Sequence, residues 1–542
     1  MKNTHDIQAK IRQYLIEILF SFIMAAIFVS GYLLSTYDTL DIMPTSRRFF
    51  VAHAIGFLVI WAVWFFVFLF IKSKSGGTIY ANKKPIFSKL SHKKFWLVVF
   101  IFLLMFYLPP AIIMVGNLSF DSWNVIAQVN AEIPLSNGHP LIYTALMGFF
   151  IKIGQLIGDT NTGILLFSIF QTTLLAAIFA TVISWMKRLR VSNTIIIASV
   201  LFYAIIPVNT LAGTVLWKDI LFSGVGLLLL LFVRLLYVER SSFFTKKNIA
   251  FFILLAFLFS TLRHNGFYAY SLAAILMIAV NHHTFFSKKY LVLFATPVIL
   301  VLIYTNLVSM ILPPSSTPSG ATLIVPMQQL ARTAKYHLND LTPQNKEKLQ
   351  RIIKINNGEV TYAAGLSDMA GRNFDVAEFN RNKAEYAVLW AKLLILYPKT
   401  FLAATAYNTY GYTYPYHNST TTTDIIWNNC FQENAPKDCQ EIAIDNKNKE
   451  LVGFYRNLIN STMPLQDNIG LYVCTMIVLL YVSIIRRKKE LVGVFILLIS
   501  LFLSIVAGPV NGDFRYLYLF VIAVPFVVAS VFAPSKTKLN IK

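Results

Sequence analysis

LIYTALMGFFIKIGQLIG, residues 141–158, is the stretch on which the fold turns. A helix of about 20 apolar residues crosses the roughly 30 Å of a bilayer's hydrocarbon, and this run is nearly that long. Other apolar runs of comparable length recur from end to end, so whether this one crosses determines which polar loops share a side. Lys and Arg near helix ends are retained on the cytoplasmic side. The sequence offers seven basic clusters as a test: the N-terminus with Lys2, Lys10 and Arg12; Lys72 to Lys94; Lys187, Arg188 and Arg190; Arg240 to Lys247; Lys288 and Lys289; Arg486 to Lys489; and the tail from Lys536. If residues 141–158 cross, the cluster at Lys187 falls outside and every later cluster inverts. If they do not cross, all seven fall inside. The run follows Pro140, carries Lys152 and is interrupted by Gly148, Gly154 and Gly158, which suits an interfacial or re-entrant helix on the outer face.

Composition supports the same class. The 542 residues are 56% hydrophobic and only 13% charged, with mean hydropathy +0.61, outside the range of a water-soluble domain. Apolar runs of this length are helices rather than barrel strands. The first run, from near Tyr14, is followed by no small-residue cleavage site and reads as a retained helix. The 47 Lys and Arg outnumber the 25 Asp and Glu, yet they lie mostly in short loops, which points to topology and anionic lipid headgroups and not to nucleic acid.

The expected fold is therefore an all-α polytopic membrane protein. About twelve spanning helices begin near residues 15, 50, 96, 163, 192, 219, 248, 266, 289, 468, 490 and 515, with both termini cytoplasmic. Residues 1–312 form a transmembrane core whose first outer loop runs from 116 to 161. Residues 313–467 form a mostly helical outer section that opens with PPSSTPSG and includes AEYAVLWAKLLILYPKTFLAATAYN, and 468–542 supply the last transmembrane helices. Cys430 and Cys439 share the outer section, and their spacing neither requires nor excludes a disulfide.

Polar and charged residues at the outer helix ends collect in a few short places. They are Asp121 with His139; Lys218 and Asp219 in WKDI; Arg263, His264 and Asn265 in RHNG; Asp513, Arg515 and Tyr516 in GPVNGDFRY; and the aromatic run NTYGYTYPYH with Tyr410 and Tyr412. Arg offers a planar, permanently charged fork for phosphate oxygens and Lys a compact point charge. A carboxylate beside them can take the proton of an acceptor hydroxyl, and tyrosines can stack on sugar rings.

An Asp just after a transmembrane helix, His139-Pro140 opening a juxtamembrane helix, Gly158-Asp159, an apolar helix ending in Lys187-Arg188, and a late Arg515-Tyr516 together resemble the GT-C glycosyltransferases. The protein mannosyltransferase and aminoarabinose transferase relatives share this order. The resemblance implies a sugar transferase using a polyprenyl-phosphate donor in a bacterial plasma membrane, with its site facing outward, Asp121 as catalytic base and Arg515 and Tyr516 near the lipid phosphate. It implies a cell-envelope glycan, lipid or protein as acceptor. The segment YPKTFLAATAYNTYGYTYP also resembles membrane proteins of Gram-positive bacteria. Asp121 is followed by Ser122 where the family has an acidic pair, which argues against a bidentate metal site, and no metal or cofactor is expected.

Other readings stand beside these. Asp121 also suits the N-terminus of a helix as a cap; Lys218 and Asp219 can neutralise each other; Arg263 and Arg515 can snorkel to headgroups; and the tyrosines can form an interfacial belt. No P-loop, dinucleotide fingerprint, HExxH or GxSxG stands in a credible context. The competing functional classes are a flippase of polyprenyl-linked sugars and a surface-polysaccharide polymerase or ligase, both of which would use the same cations for phosphate.

Overall fold

The computed structural model describes residues 2–37, 47–75, 90–113, 118–312, 323–416 without 357–358, isolated residues between 450 and 461, and 468–534 without 506–507 and 509. PPSSTPSG, Cys430, Cys439 and the tail from Lys536 lie outside them.

The described chain is helical apart from one antiparallel pair of two-residue strands, Ile355–Asn356 and Glu359–Val360. In chain order the first helices are α1 (Lys2–Thr36), α2 (Arg47–Ser75), α3 (His92–Ile113), α4 (Phe120–Val129), α5 (Leu141–Ile157), α6 (Thr160–Arg188), α7 (Asn193–Ile205), α8 (Pro207–Ala212), α9 (Lys218–Glu239), α10 (Lys246–Leu262), α11 (His264–Val280), α12 (His282–Phe285) and α13 (Lys288–Ile311). The outer section contributes α14 (Ile324–His337), α15 (Pro343–Ile352), α16 (Ser367–Arg372), α17 (Val376–Arg381), α18 (Lys383–Leu396) and α19 (Pro398–Tyr407). The last three are α20 (Ile469–Ile485), α21 (Val492–Ile505) and α22 (Tyr518–Phe532).

A helix begins within about four residues of eleven of the twelve expected starts, and the first expected start falls inside α1, whose apolar part begins at Tyr14. Among the described residues, seven helices are long and apolar enough to cross a membrane: Tyr14–Thr36, Arg48–Lys74, His92–Ile113, Thr160–Arg188, Lys218–Phe243, Lys288–Ile311 and Phe514–Phe532. The other five expected spans are shorter: α7 has 13 residues, α21 has 14, and α10, α11 and α20 have 17 each. Several stop for local reasons. Pro207 follows α7 and opens α8, because proline cannot continue a helix but suits its first turn. Arg263, with φ −144° and ψ 138°, is extended between α10 and α11.

One apolar core runs through the helices. α3 packs on α6, α11 on α21, and α9 lies against α6, α10, α21 and α22. α1 and α2 pair at the edge and are tied in through α20, where buried Glu17 accepts from Lys72 (3.1 Å) and from the Tyr481 hydroxyl (3.0 Å).

α5 is not among the helices that meet the spanning test. It folds back over the beginning of α6, with Phe150 against Phe167 and Phe170 and Tyr143 against Phe167. The crossing needs glycine: a Cβ on Gly154 would meet the backbone of Gly163. Its opposite side leaves Ala145, Phe149, Lys152 and Leu156 exposed, a single helical face of i, i+4, i+7, i+11 spacing. A largely apolar face with one lysine suits a helix lying in the interface plane.

Residues 323–407 share a small core of their own, formed by Met327, Leu330, Leu349, Tyr386, Leu389, Leu393 and Phe401 among others. The section 323–416 reaches the membrane core in several places. Tyr407 donates its hydroxyl to the Tyr37 carbonyl at the end of α1, the Thr413 and Pro415 carbonyls accept from Cys474 in α20 and from Asn468 just before it, and residues 365, 408, 411 and 412 bond to Gly508, Val510 and Asn511 as described below.

Candidate functional site

Asp121 stands in the first turn of α4, but it is not the cap. Ser119 occupies that position, and its N–H donates to Ser122 Oγ (3.2 Å). Ser122 Oγ in turn donates to the Leu216 carbonyl (2.7 Å), and Trp217 Nε1 donates to Ser119 Oγ. On the other side Gln171 of α6 donates from Nε2 to the carbonyls of Gly213 (2.9 Å) and Val215 (2.8 Å). These buried bonds fix the 213–217 connection against α4 and α6, so that α9 starts with Lys218 facing Asp121.

Successive residues on a helix point about 100° apart, and this separates Lys218 from Asp219. Lys218 Nζ donates to Asp121 Oδ2 (3.0 Å) and lies 3.1 Å from His139 Nδ1. Asp219 turns into the bundle and takes an ion pair from Arg263. A Lys218–Asp219 couple is thus replaced by two cross-element pairs.

Arg515 comes from the short turn before α22. Gly512, at φ 65°, supplies the left-handed residue that the turn requires, and Asp513 accepts from the Arg515 backbone N–H (3.1 Å) and from Nε (2.8 Å). Nη1 then reaches Asp121 Oδ2 at 3.0 Å. The guanidinium lies 5.0 Å from the Tyr516 ring centroid and 5.5 Å from that of Trp217, within cation–π range. The Arg263 guanidinium lies 4.5 Å from the centroid of the same Tyr516 ring.

One carboxylate oxygen therefore receives two cations. Burial alone would raise the Asp121 pKa; Lys218, Arg515 and His139 outweigh it and hold the carboxyl well below the usual range. The Asp121 side chain keeps 29% exposure, so a second molecule can reach it. Burial, and then Lys218, lower the His139 pKa to about 4 against the pull of Asp121. Its Nδ1 is then an unprotonated acceptor for Lys218 at neutral pH.

Beside these groups is a cavity of about 160 Å³ lined by Lys218, Arg263, His264, Asn265, Ser504 and Tyr516, among others. His264 Nε2 is 2.9 Å from the Asn137 carbonyl, which ties α11 to the loop bearing His139. Asn265 donates to Ser504 Oγ (3.3 Å).

Asp121, His139, Lys218, Asp219, Arg263, His264, Asn265, Asp513, Arg515 and Tyr516 thus meet at one end of the helices. Tyr412 supports them from behind: it is buried and donates its hydroxyl to the Val510 carbonyl (2.7 Å). Tyr410 instead packs with Leu34 and Tyr407 near the end of α1. Three further bonds join the section 323–416 to Gly508 and Asn511: Asn408 Nδ2 to the Gly508 carbonyl (2.7 Å), Asn511 N–H to the Gly365 carbonyl (2.8 Å), and Gly411 N–H to Asn511 Oδ1 (2.8 Å).

Sequence reading passed over Trp217 and Tyr143. Trp217 adjoins Lys218 and could have been drawn in by that adjacency. Tyr143 is buried on α5, and burial with the nearby Asp219 and Asp121 carboxylates pushes its hydroxyl well above the usual tyrosine range. Among the described residues no three His, Cys, Asp or Glu side chains gather as a metal-holding group.

Long apolar helices bearing a charge-paired polar cluster at one end define a multi-pass membrane protein. Residues 130–542 match DUF6020, a family of unknown function, and the chain belongs to that family. No curated protein and no solved structure matches it.

Proposed function

We propose that this protein is a GT-C-type glycosyltransferase of the bacterial plasma membrane. It moves a sugar from a polyprenyl-phosphate donor to an extracytoplasmic glycan, lipid or protein. The observation that carries the reading is Asp121, a partly exposed carboxylate fixed by Lys218 and Arg515, with Lys218 also lining a cavity that Arg263 shares.

The reaction is a direct displacement. An acceptor hydroxyl gives its proton to Asp121 as its oxygen attacks the anomeric carbon. The bond from that carbon to the phosphate oxygen breaks, and the electron pair leaves with the polyprenyl phosphate. Lys218, Arg263 and Arg515 stabilise the negative charge on the leaving group. Each of these cations also has a carboxylate partner, so incoming phosphate competes with Asp121 for Lys218 and Arg515. Such competition would raise the basicity of Asp121 when the donor is in place. His139 accepts from Lys218 and keeps that ammonium aimed at the site.

The topology proposed with this function has twelve crossings, both termini cytoplasmic and the cluster outside. Basic segments at the far end of the helices support it by meeting one another. Lys187 donates to the Leu90 carbonyl, Lys289 lies 3.5 Å from Ser241 Oγ, and Arg234 pairs with Glu490 at 3.7 Å.

The test is transfer of radiolabelled sugar from synthetic polyprenyl-phosphate donors by purified protein in liposomes, with envelope extract as acceptor. Label entering a non-lipid product supports the transferase. Labelled lipid crossing the bilayer without transfer would replace it with a flippase, and transfer of only a preassembled glycan would make the protein a polymerase or ligase.

A further inference from the structure

The helix pair α18–α19 lies in the section expected to be extracytoplasmic, yet it is built for lipid. The two helices together are apolar enough for a membrane segment but meet at a bend of 100°. One side of α18 faces the small core through Tyr386, Leu389 and Leu393. On its other side Ala384, Ala387, Val388, Ala391 and Ile395 are exposed, again at spacings that form one helical face. Val388 is 68% exposed, Ile395 79%, and Leu402 beyond the bend 71%. A contiguous apolar stripe of this kind marks an interaction surface.

The surroundings identify what covers it. Within residues 383–407 the basic side chains are Lys383, Lys392 and Lys399, and the one acidic side chain, Glu385, is paired with Lys348 of α15 at 2.9 Å. An apolar face rimmed by lysines matches hydrocarbon below and anionic headgroups above. Depth is fixed independently: Ala403 and Tyr407 of α19 pack with Leu34 of α1, and the Tyr407 hydroxyl bonds to Tyr37, one residue beyond the apolar span Tyr14–Thr36. The pair is thus anchored where α1 leaves the bilayer.

We infer that α18 and α19 form a lipid-embedded foot, lying in the leaflet on the side of the charged cluster, with Val388, Ile395 and Leu402 in the acyl region. The foot is continuous with the segment bearing Asn408 and Tyr412, which bond to the Gly508 and Val510 carbonyls shortly before Asp513 and Arg515. Docking of this section on lipid therefore sets the position of Gly508 and Val510.

The experiment places nitroxide labels on full-length protein in phosphatidylglycerol-containing nanodiscs, with the native cysteines replaced. Labels are introduced by Ile395→Cys, Leu402→Cys and, on α15, Glu347→Cys. Accessibility to oxygen and to a water-soluble nickel chelate is measured at each. Labels at 395 and 402 should favour oxygen over nickel, and the label at 347 the reverse. Nickel accessibility at 395 and 402 equal to that at 347 would overturn the inference. So would shielding from both reagents, which would mean a protein partner or a second copy on that face. Each labelled protein is checked for a monodisperse elution profile first, so that a misfolded variant is not read as solvent exposure.

Discussion

At the residue scale, the chemistry rests on which charge meets which. Asp219 is 1% exposed and its partner Arg263 12%, so removing one member leaves the other unpaired in a poorly hydrated place. Asp219→Ala should cost about 3–5 kcal/mol of stability, seen as a lower melting temperature in detergent. Arg263→Leu added to it should restore part of that loss, and a double variant no more stable than the single would contradict the pairing. His139 gives a prediction in pH. Its folded pKa of about 4 lies below the unfolded value near 6.5, so protons bind the unfolded chain more tightly. The stability that His139 contributes is present above about pH 6.5 and is lost as pH falls toward 4. Asp121 is held below the usual carboxylate range and titrates outside this window. His139→Gln should therefore flatten the decline in melting temperature between pH 7 and pH 5 relative to wild type. Most site residues were legible in the sequence because short polar inserts between apolar runs are conspicuous. Their pairing was not, since the roughly 100° turn between Lys218 and Asp219 shows only once α4, α9 and α10 are placed. Gln171 was hidden because it lies within a long helical run far from the polar helix ends.

At the scale of elements, α5 carries the argument. Charge bookkeeping marks it as the apolar run least suited to cross, and its close approach to α6 at Gly154 and Gly163 shows how it is held. Gly154→Leu would drive a side chain into the Gly163 backbone, and overpacking of this kind costs about 1–3 kcal/mol or more. The variant should lose thermal stability and disturb the site, because α5 also carries Tyr143 and follows His139. Gly148→Ala meets only the Val129 side chain, at 3.1 Å, and should be milder; equal loss in both variants would count against the close crossing. Helix lengths were less legible. The apolar runs behind α7, α10 and α11 look longer in sequence than the helices they form, because Pro207 follows α7 and the extended Arg263 separates α10 from α11. The break at Arg263 brings Arg263 and His264 to the cavity.

At the scale of the molecule, the positive-inside reading makes a prediction that a single orientation must satisfy. Cysteines introduced at Ser136 and Glu347 should react with an impermeable maleimide added to intact cells, and those at Ser241 and Lys489 only after permeabilisation. Labelling of Ser241→Cys in intact cells would invert the topology. The section from 313 to 467 was visible in the sequence as a long polar stretch, but its bonds to Gly508 and Asn511 were not, because hydrogen bonds such as Asn408 to Gly508 join residues 100 positions apart. The central claim is that the cluster around Asp121 performs sugar transfer. The most direct measurement compares wild type with Asp121→Asn for both donor binding and turnover, using the same polyprenyl-phosphate sugar. The substitution keeps the side chain's shape and removes its basicity, so binding should persist while turnover falls by at least about a hundredfold, within the range for loss of a positioned general base. Turnover at the wild-type rate in a folded, donor-binding Asp121→Asn protein would contradict the account.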